Sequence, residues 1–315
     1  MMNPWRAERA GIRDTSFVRL RHLPVILFCL TLCLSIEVRC ESESIFPRRI
    51  ISLGPTITEK LYLLGVEERI VGVTIYCNRP SQAALKEKVG NVTHASIEKI
   101  VRLKPDLVLA TSLTDSRLIE KLRRARIRTE VFPEAKSFEE LNKQFVHLGK
   151  MVGREGKAHR VAALADHKVR AISHGVGGQR KTKVFCQIGA QPLFTAVGDT
   201  LLNDFIERAN GINIARGAKI GFYNREEVIR QNPDVIIIVT MGIAAEREKQ
   251  AWQRFKSVNA VRNGRVAVMD AYRTCSPTPL TFADALAEFA AILHPESLRP
   301  SSNPRLGRYR GGVVL

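Results

Sequence analysis

The chain has 315 residues, of which 45% are hydrophobic and 25% are charged. This composition excludes disordered and fibrous proteins and allows one large core or two smaller ones. Lys and Arg number 49 against 31 Asp and Glu, a formal net charge of +18, but these cations are spread along the whole length without a basic helix or a zinc pattern. We therefore expect a solvated basic surface and no nucleic-acid partner.

The first 40 residues predict a secretory signal peptide. Several arginines precede the apolar segment 23–36, which is too short to span a bilayer. Val38 and Cys40 fit the positions before a cleavage site, so we expect the mature chain to begin near Glu41 and to be exported to the periplasm. Two alternatives stay open: an uncleaved anchor, or a lipid on Cys40 that would hold the protein on the outer face of the cytoplasmic membrane.

From Arg49 onward, short apolar runs alternate with helical patterns, which predicts βαβ units and parallel sheets. Pro55 in the first turn of a helix and Gly65 after its end are typical helix boundaries. The predicted strands of this half are 50–53, 70–75, 106–110 and 129–132, and the predicted helices are 55–64, 96–103 and 115–125.

A different pattern covers residues 137–178. Ser137 and Glu140 form a capping-box arrangement at the head of a helix that is predicted to end near Val152. A second helix is predicted from Arg154 to Ser173, with apolar residues at core-facing spacings. At a rise of 1.5 Å per residue it would be about 30 Å long, roughly the width of a small domain.

The alternation then resumes, with predicted strands at 183–188, 235–239 and 265–269 and helices at 200–209, 225–231 and 246–255. Segments 97–112 (IEKIVRLKPDLVLATS) and 225–240 (REEVIRQNPDVIIIVT) share a helix, a Pro-Asp turn and an apolar strand, which favours two similarly built lobes. We predict an α/β protein with two Rossmann-like lobes that have parallel sheets and are joined by a single long helix. Its predicted parts are a signal peptide (1–40), an N-terminal lobe (41–136), linking helices (137–178), a C-terminal lobe (179–295) and a disordered tail (296–315).

Three segments resemble the helical-backbone periplasmic binding proteins, which deliver cobalamin, iron-siderophore complexes and haem to ABC importers. They are RIISLGPTITEKLYLLG from Arg49, segment 97–112, and KVFCQIGAQPLFTAVGDTLLNDFIERANGINIA from Lys183. GVTIYCNRP from Gly72 and QIGAQPLFTA from Gln187 are most similar to the cobalamin-binding members. The resemblance implies a monomeric substrate-binding protein of an ABC importer, without catalysis or a cofactor, that captures cobalamin or a related corrinoid. Ferric siderophores and haem remain alternative ligands.

Ligands of open parallel sheets bind at the carboxyl ends of the strands, where loops converge. Aromatic faces in these loops suit a large planar ligand, and cleft arginines suit acidic groups on it; the resemblance supports Tyr76 and Phe194 in particular. The cleft tryptophans of the cobalamin-binding members have no counterparts, because Trp5 lies in the signal and Trp252 in a predicted helix. The predicted ligand-binding residues are Pro55, Thr56, Tyr76, Arg79, Phe194, Phe222, Tyr223, Tyr272 and Arg273.

The resemblance also implies that one acidic residue on each lobe docks onto the permease subunits in the inner membrane. Motif by motif, these positions fall on Glu87 in LKEKVG and Glu226 in NREEV, with Glu227 as a competitor for the second.

An α/β enzyme and a metal-ion binding protein are the alternative classes. The chain carries no G-x-S-x-G, no G-x-x-x-x-G-K-[ST] and no G-x-G-x-x-G after its first strand, so no catalytic residue is predicted. Of the histidines only His94 lies near a first-lobe loop, so no metal site is predicted either. Three cysteines remain in the mature chain, which leaves a bridge between Cys77 and Cys275 open.

Overall fold

The structure, a computed structural model, describes residues 46–239 and 243–298. The predicted signal peptide and residues 299–315 of the predicted tail lie outside the described residues, as do residues 240–242, which follow the predicted strand 235–239. A short 3-10 helix, Pro295–Leu298, continues the chain three residues into the region predicted as tail.

Five parallel strands form the first sheet, in the order β3-β2-β1-β4-β5. They are β1 (Ile50–Ser52), β2 (Ile70–Thr74), β3 (Lys88–Gly90), β4 (Leu107–Thr111) and β5 (Thr129–Phe132). Helices α1 (Pro55–Leu64), α2 (Ile97–Arg102) and α3 (Ser116–Arg124) belong to the same lobe. Ile50 pairs with Ile70 on one side and with Leu107 on the other. Strand β1 is therefore central, and its three residues are all buried, as expected for a parallel sheet that is covered on both faces.

Two helices, α4 (Phe138–Met151) and α5 (Glu155–Val176), connect the lobes. Ser137 caps α4 by accepting a hydrogen bond from the Glu140 amide at 3.2 Å. A Cβ at Gly149 would lie 2.3 Å from the Ala158 Cβ, so only glycine lets α4 approach α5 this closely. With 22 residues, α5 is about 33 Å long.

The linking helices contribute to the cores of both lobes. Phe145 of α4 and Ala158 of α5 are buried in the first-lobe core, together with side chains of α1. Phe138 of α4, with Ala165 and Val169 of α5, is buried in the second-lobe core. Each lobe is thus fixed to the same pair of helices by buried apolar side chains.

The second sheet has the order β10-β9-β6-β7, and a further strand, β8, also pairs with β6. Its strands are β6 (Thr182–Ala190), β7 (Leu193–Thr195), β8 (Gly211–Asn213), β9 (Val235–Ile238) and β10 (Val266–Val268). Strand β7 runs antiparallel to β6, so this sheet is mixed, which corrects the expectation of a wholly parallel one. Strand β7 was not predicted, because three residues are too few to show a strand period.

The second-lobe helices are α6 (Leu201–Arg208), α7 (Arg225–Gln231), α8 (Ile243–Trp252), α9 (Asn259–Arg262), α10 (Ala271–Cys275) and α11 (Pro279–Leu293). The start of α8 lies three residues before the predicted one. Helix α11 was not predicted; it has only three polar residues among 15, Thr281, Asp284 and Glu288, which makes the amphipathic pattern weak. Its first turn is fixed by a capping box between Thr278 and Thr281.

Candidate functional site

Exposed apolar side chains collect where the first-sheet strands end. Ile75 and Tyr76 follow β2 and are 49% and 55% exposed, and Leu113 follows β4 and is 67% exposed. The carboxyl ends of parallel strands share one edge of a sheet, so the three side chains stand on the same side of the lobe. Tyr76 belongs to the predicted set, whereas Ile75 and Leu113 do not. Ile75 is the last residue of a predicted strand, where the apolar pattern gives no sign of exposure.

The second lobe places two phenylalanines at the corresponding edge. Phe194 on β7 and Phe222 contact each other edge to face, with ring centroids 5.4 Å apart, and Phe222 is 57% exposed. The chain at 221–223 extends the sheet beyond β7, since the Thr195 amide donates to the Gly221 oxygen at 2.8 Å. A Cβ at Gly221 would lie 2.4 Å from the Phe194 ring, so a side chain there would displace the pair.

A cavity of about 500 Å³ adjoins this aromatic pair. It is lined by Ala218, Lys219, Ile220, Phe222, Tyr223, Asn224 and Glu227. Tyr223 is half-buried and packs against Phe185, and burial raises the pKa of its hydroxyl. Tyr223 is therefore partly a core residue, whereas Phe222 is the more exposed aromatic side chain of the cavity wall.

Pro55 and Thr56 lie in the first turn of α1, directly after β1. Pro55 occupies the start of the helix, where its missing amide hydrogen costs no intrahelical bond. The Thr56 hydroxyl donates to the Ser276 oxygen of the second lobe at 3.2 Å. Thr56 therefore faces the other lobe, as a cleft residue should.

A second inter-lobe contact joins Arg79 to Asp270, with Nη2 and Oδ2 3.0 Å apart. The same guanidinium lies 4.1 Å from the centroid of the Tyr272 ring. Burial raises the pKa of Asp270, but the hydrogen bonds from Arg79 and from the Tyr272 amide outweigh burial and leave it below its usual value. Arg79, predicted to pair with a ligand acid, thus pairs with a carboxylate of its own chain in this structure.

The Tyr272 hydroxyl is buried without a hydrogen-bond partner in the described part of the chain. Burial raises its pKa, and the neighbouring Glu59 carboxylate adds to this effect. A buried donor without a partner is costly, so this hydroxyl is suited to a partner that a ligand or a water would supply. Arg273, the next residue, lies 3.7 Å from the Glu288 carboxylate of its own lobe.

Trp252 is fully buried and does not line the cleft. Its indole donates to the Gln187 side-chain oxygen at 2.7 Å. The Gln187 amide donates to Glu248 at 2.8 Å, and Glu248 also accepts from Arg225, whose guanidinium lies over the Trp252 ring. This polar network fixes the start of α7, directly after the cavity residues 222–224.

The two predicted docking glutamates are both exposed. Glu87 lies 3.9 Å from Arg102, a loose pair between side chains that are 49% and 70% exposed. Glu226 has no ion pair among the described residues, whereas both Glu227 carboxylate oxygens accept from Arg230, at 2.6 and 2.8 Å. Of the two competitors on α7, Glu226 is therefore the one whose carboxylate is available to a partner.

Cys77, Cys186 and Cys275 are free thiols, so the bridge left open between Cys77 and Cys275 is not formed in this structure. Cys77 is buried, with its sulfur 3.1 Å from the hydroxyls of Thr58 and Thr74. Among residues 46–239 and 243–298, no three His, Cys, Asp or Glu side chains cluster closely enough to hold a metal ion. Within the same ranges no helix has the length and apolarity to cross a membrane.

Comparisons with known proteins agree with this architecture. Residues 50–272 match the family model described as periplasmic binding protein. An uncharacterized ABC transporter substrate-binding lipoprotein of Bacillus subtilis is 28% identical over 80% of this chain and 82% of its own length. A vitamin B12-binding protein of Pectobacterium carotovorum is 30% identical over 63% of this chain and 74% of its own length.

Solved structures show the same fold. A possible iron-binding, periplasmic solute-binding protein of Staphylococcus epidermidis superimposes with a TM-score of 0.71 at 27% identity, over 79% of this chain and 99% of its own. The vitamin B12-binding protein of Vibrio cholerae gives 0.70 at 24% identity, over 80% and 99%. The family match spans most of the two lobes and both edges that carry the exposed apolar side chains. The chain therefore belongs to the periplasmic binding protein family.

Proposed function

We propose that this protein is the exported substrate-binding component of an ABC importer, and that it captures cobalamin or a related corrinoid between its lobes. The observation that carries the proposal is the pair of facing edges, where Tyr76 of one lobe and Phe222 of the other are more than half exposed. Apolar side chains of this size are usually buried. Their exposure at the ligand-binding edge of both sheets suits a large ligand with apolar faces.

Capture requires no bond to be made or broken, so the protein needs no catalytic residue for this role. Burial of the linking helices in both cores opposes large rearrangements, and Thr56 and Arg79 already contact the second lobe. Binding would thus proceed with a modest closure of the lobes. The loaded protein would then present Glu87 and Glu226, one on each lobe, to cationic residues of the permease.

The vitamin B12-binding relative at 30% identity favours a corrinoid, whereas the iron-binding structure at 27% identity keeps a ferric chelate as an alternative cargo. The Bacillus subtilis lipoprotein likewise keeps a lipid anchor as an alternative to a free periplasmic protein.

A titration of the purified exported protein with cobalamin, cobinamide, haem and a ferric siderophore tests the proposal, read by calorimetry. We expect one corrinoid to bind most tightly. Tyr76→Ala and Phe222→Ala should each weaken that binding about 5- to 30-fold, because each removes an aromatic contact worth about 1–2 kcal/mol. Leu164→Ala, an equally exposed apolar position on α5, is the matched control and should leave affinity unchanged. Failure of all four ligands to bind would refute the proposal.

A further inference from the structure

The arginines around the candidate cleft are already neutralised by carboxylates of the chain. Arg79 pairs with Asp270, Arg225 with Glu248, and Arg273 with Glu288. Each of these arginines already has its positive charge balanced by a carboxylate, which weakens its attraction for a ligand anion. A cation without a carboxylate partner is better placed to recognise an anionic ligand.

Lys219 is such a cation. It lines the cavity beside Phe222 and is exposed, and no carboxylate in residues 46–239 and 243–298 forms an ion pair with it. The carboxylate on the same cavity wall, Glu227, accepts hydrogen bonds from Arg230 and from Gln231. It is therefore committed to its own helix.

The cavity residues next to Lys219 in the chain are apolar. Its chain neighbours are Ala218 and Ile220, and Ile220 is 63% exposed. Phe222 lies three residues after Lys219 and lines the same cavity. An ammonium group at the rim of an apolar surface matches a ligand that has an apolar face and an anionic substituent at its edge. No local sequence pattern distinguishes Lys219 from the other lysines of the chain.

We infer that the Lys219 ammonium binds an anionic substituent, a carboxylate or a phosphate, of the captured ligand. This inference rests on the proposed function, since it assigns a contact within the same cleft. The inference can be tested with pairs of related ligands. Cobalamin carries a phosphate in its nucleotide loop, and haem carries two propionates. Cobinamide lacks the nucleotide and haem dimethyl ester lacks free carboxylates, so each pair differs in the group that Lys219 would contact.

The experiment measures the dissociation constants of these four probes for the wild-type protein and its variants. Lys219→Ala should weaken binding of the anionic probe of the preferred pair about five-fold, as expected for one partly exposed charged contact. Lys219→Glu should weaken it further by repulsion, and Lys219→Arg should keep most of it. The member of the pair that lacks the anionic group should bind wild type, Lys219→Ala and Lys219→Arg equally. The matched control is Lys183→Ala. It removes an exposed lysine near the start of β6, whereas Phe194 and the cavity lie near the end of that strand.

Salt gives a second readout. Added salt should weaken wild-type binding of the anionic probe, and Lys219→Ala should lose most of that dependence because the screened contact is gone. Equal affinity of wild type and Lys219→Ala for both anionic probes, together with weaker binding by Phe222→Ala, would overturn the role of Lys219 and leave the proposed function standing. If the wild type binds none of the probes, the proposed function and the inference fail together.

Discussion

Arg79 and Asp270 are 191 positions apart in the chain and belong to different lobes, yet their side chains form an ion pair at 3.0 Å. The pair is about 40% exposed on each side, and exposed pairs of this kind contribute about 0.2–1 kcal/mol. This is too little to hold the fold together. It is enough to shift a balance between two lobe arrangements of similar free energy.

Asp270→Asn should loosen the contact between the lobes without damaging α10. Asn caps a helix as well as Asp does, so the hydrogen bond from the Tyr272 amide, now 2.8 Å, can persist while the charge is lost. We expect faster hydrogen exchange of the backbone amides that flank the contact between the Thr56 hydroxyl and the Ser276 oxygen. The free energy of unfolding should stay within about 1 kcal/mol of wild type. Asp270→Ala, which loses cap and charge together, should also speed exchange within α10. Unchanged exchange at the lobe contact in both variants would contradict a role for the pair.

Because of Lys60, the free energy of unfolding should increase as the pH rises from about 8 to 10.5. This lysine lies on α1, is 6% exposed, and burial lowers its pKa from 10.5 to about 8, with Glu59 opposing the shift. Between these values the folded protein has lost a proton that the unfolded chain still holds, so the free energy of unfolding rises with pH in that window.

Lys60→Met should therefore raise the free energy of unfolding at pH 7, by up to about 3 kcal/mol, and should flatten its rise between pH 8 and 10. Urea unfolding at several pH values measures both effects. Lys143→Met, at an exposed position on α4, is the control. A rise that persists in Lys60→Met would assign the pH dependence to another group.

Glu248→Ala should destabilise the second lobe. It would remove the acceptor for the Gln187 amide and leave the Arg225 guanidinium without its carboxylate partner. We expect a loss of about 2–4 kcal/mol in the free energy of unfolding, since an uncompensated, largely buried charge remains. Chemical denaturation measures it. Glu246→Ala, at an exposed position on the same helix, should cost less than about 0.5 kcal/mol, and an equal cost for both variants would count against the network.

Glu87→Ala combined with Glu226→Ala should separate transport from capture. Both carboxylates are exposed and lie outside the described cavity, so we expect ligand affinity to stay within about two-fold of wild type. Uptake by cells or by proteoliposomes that contain the permease should fall sharply. Arg230 already holds the Glu227 carboxylate, but Glu227 lines the cavity, so for Glu227→Ala we expect any fall in uptake to match its change in ligand affinity. Loss of ligand binding in the double variant would refute the docking role.

Elements with clear boundary residues are predictable from the sequence. Helix α1 spans its predicted residues because Pro55 starts it and Gly65, at a φ of 72°, ends it. Helix α11 was missed because it has few polar residues, and strand β7 was missed because it has only three residues. The family and its fold are confirmed by the comparisons, whereas the assignment of single ligand contacts stays a prediction.

Pairings between distant residues have no local signal. Arg79 and Arg273 both fit a cation for a ligand acid in the sequence, and only the fold shows that Asp270 and Glu288 lie beside them. Likewise, the exposure of Ile75 and Leu113 depends on where the strands end relative to the other lobe, which no neighbouring residue encodes.

Burial of α4 and α5 in both cores has a consequence for how the molecule folds and how it could be divided. A fragment that ends after α5 would leave Phe138 and Val169 without the second-lobe side chains that cover them, and the complementary fragment would lack the helices on which its core is built. Neither half is therefore a self-sufficient folding unit. We expect the two lobes to unfold in a single cooperative transition, and neither lobe to be exchangeable with that of another protein unless the helix pair moves with it.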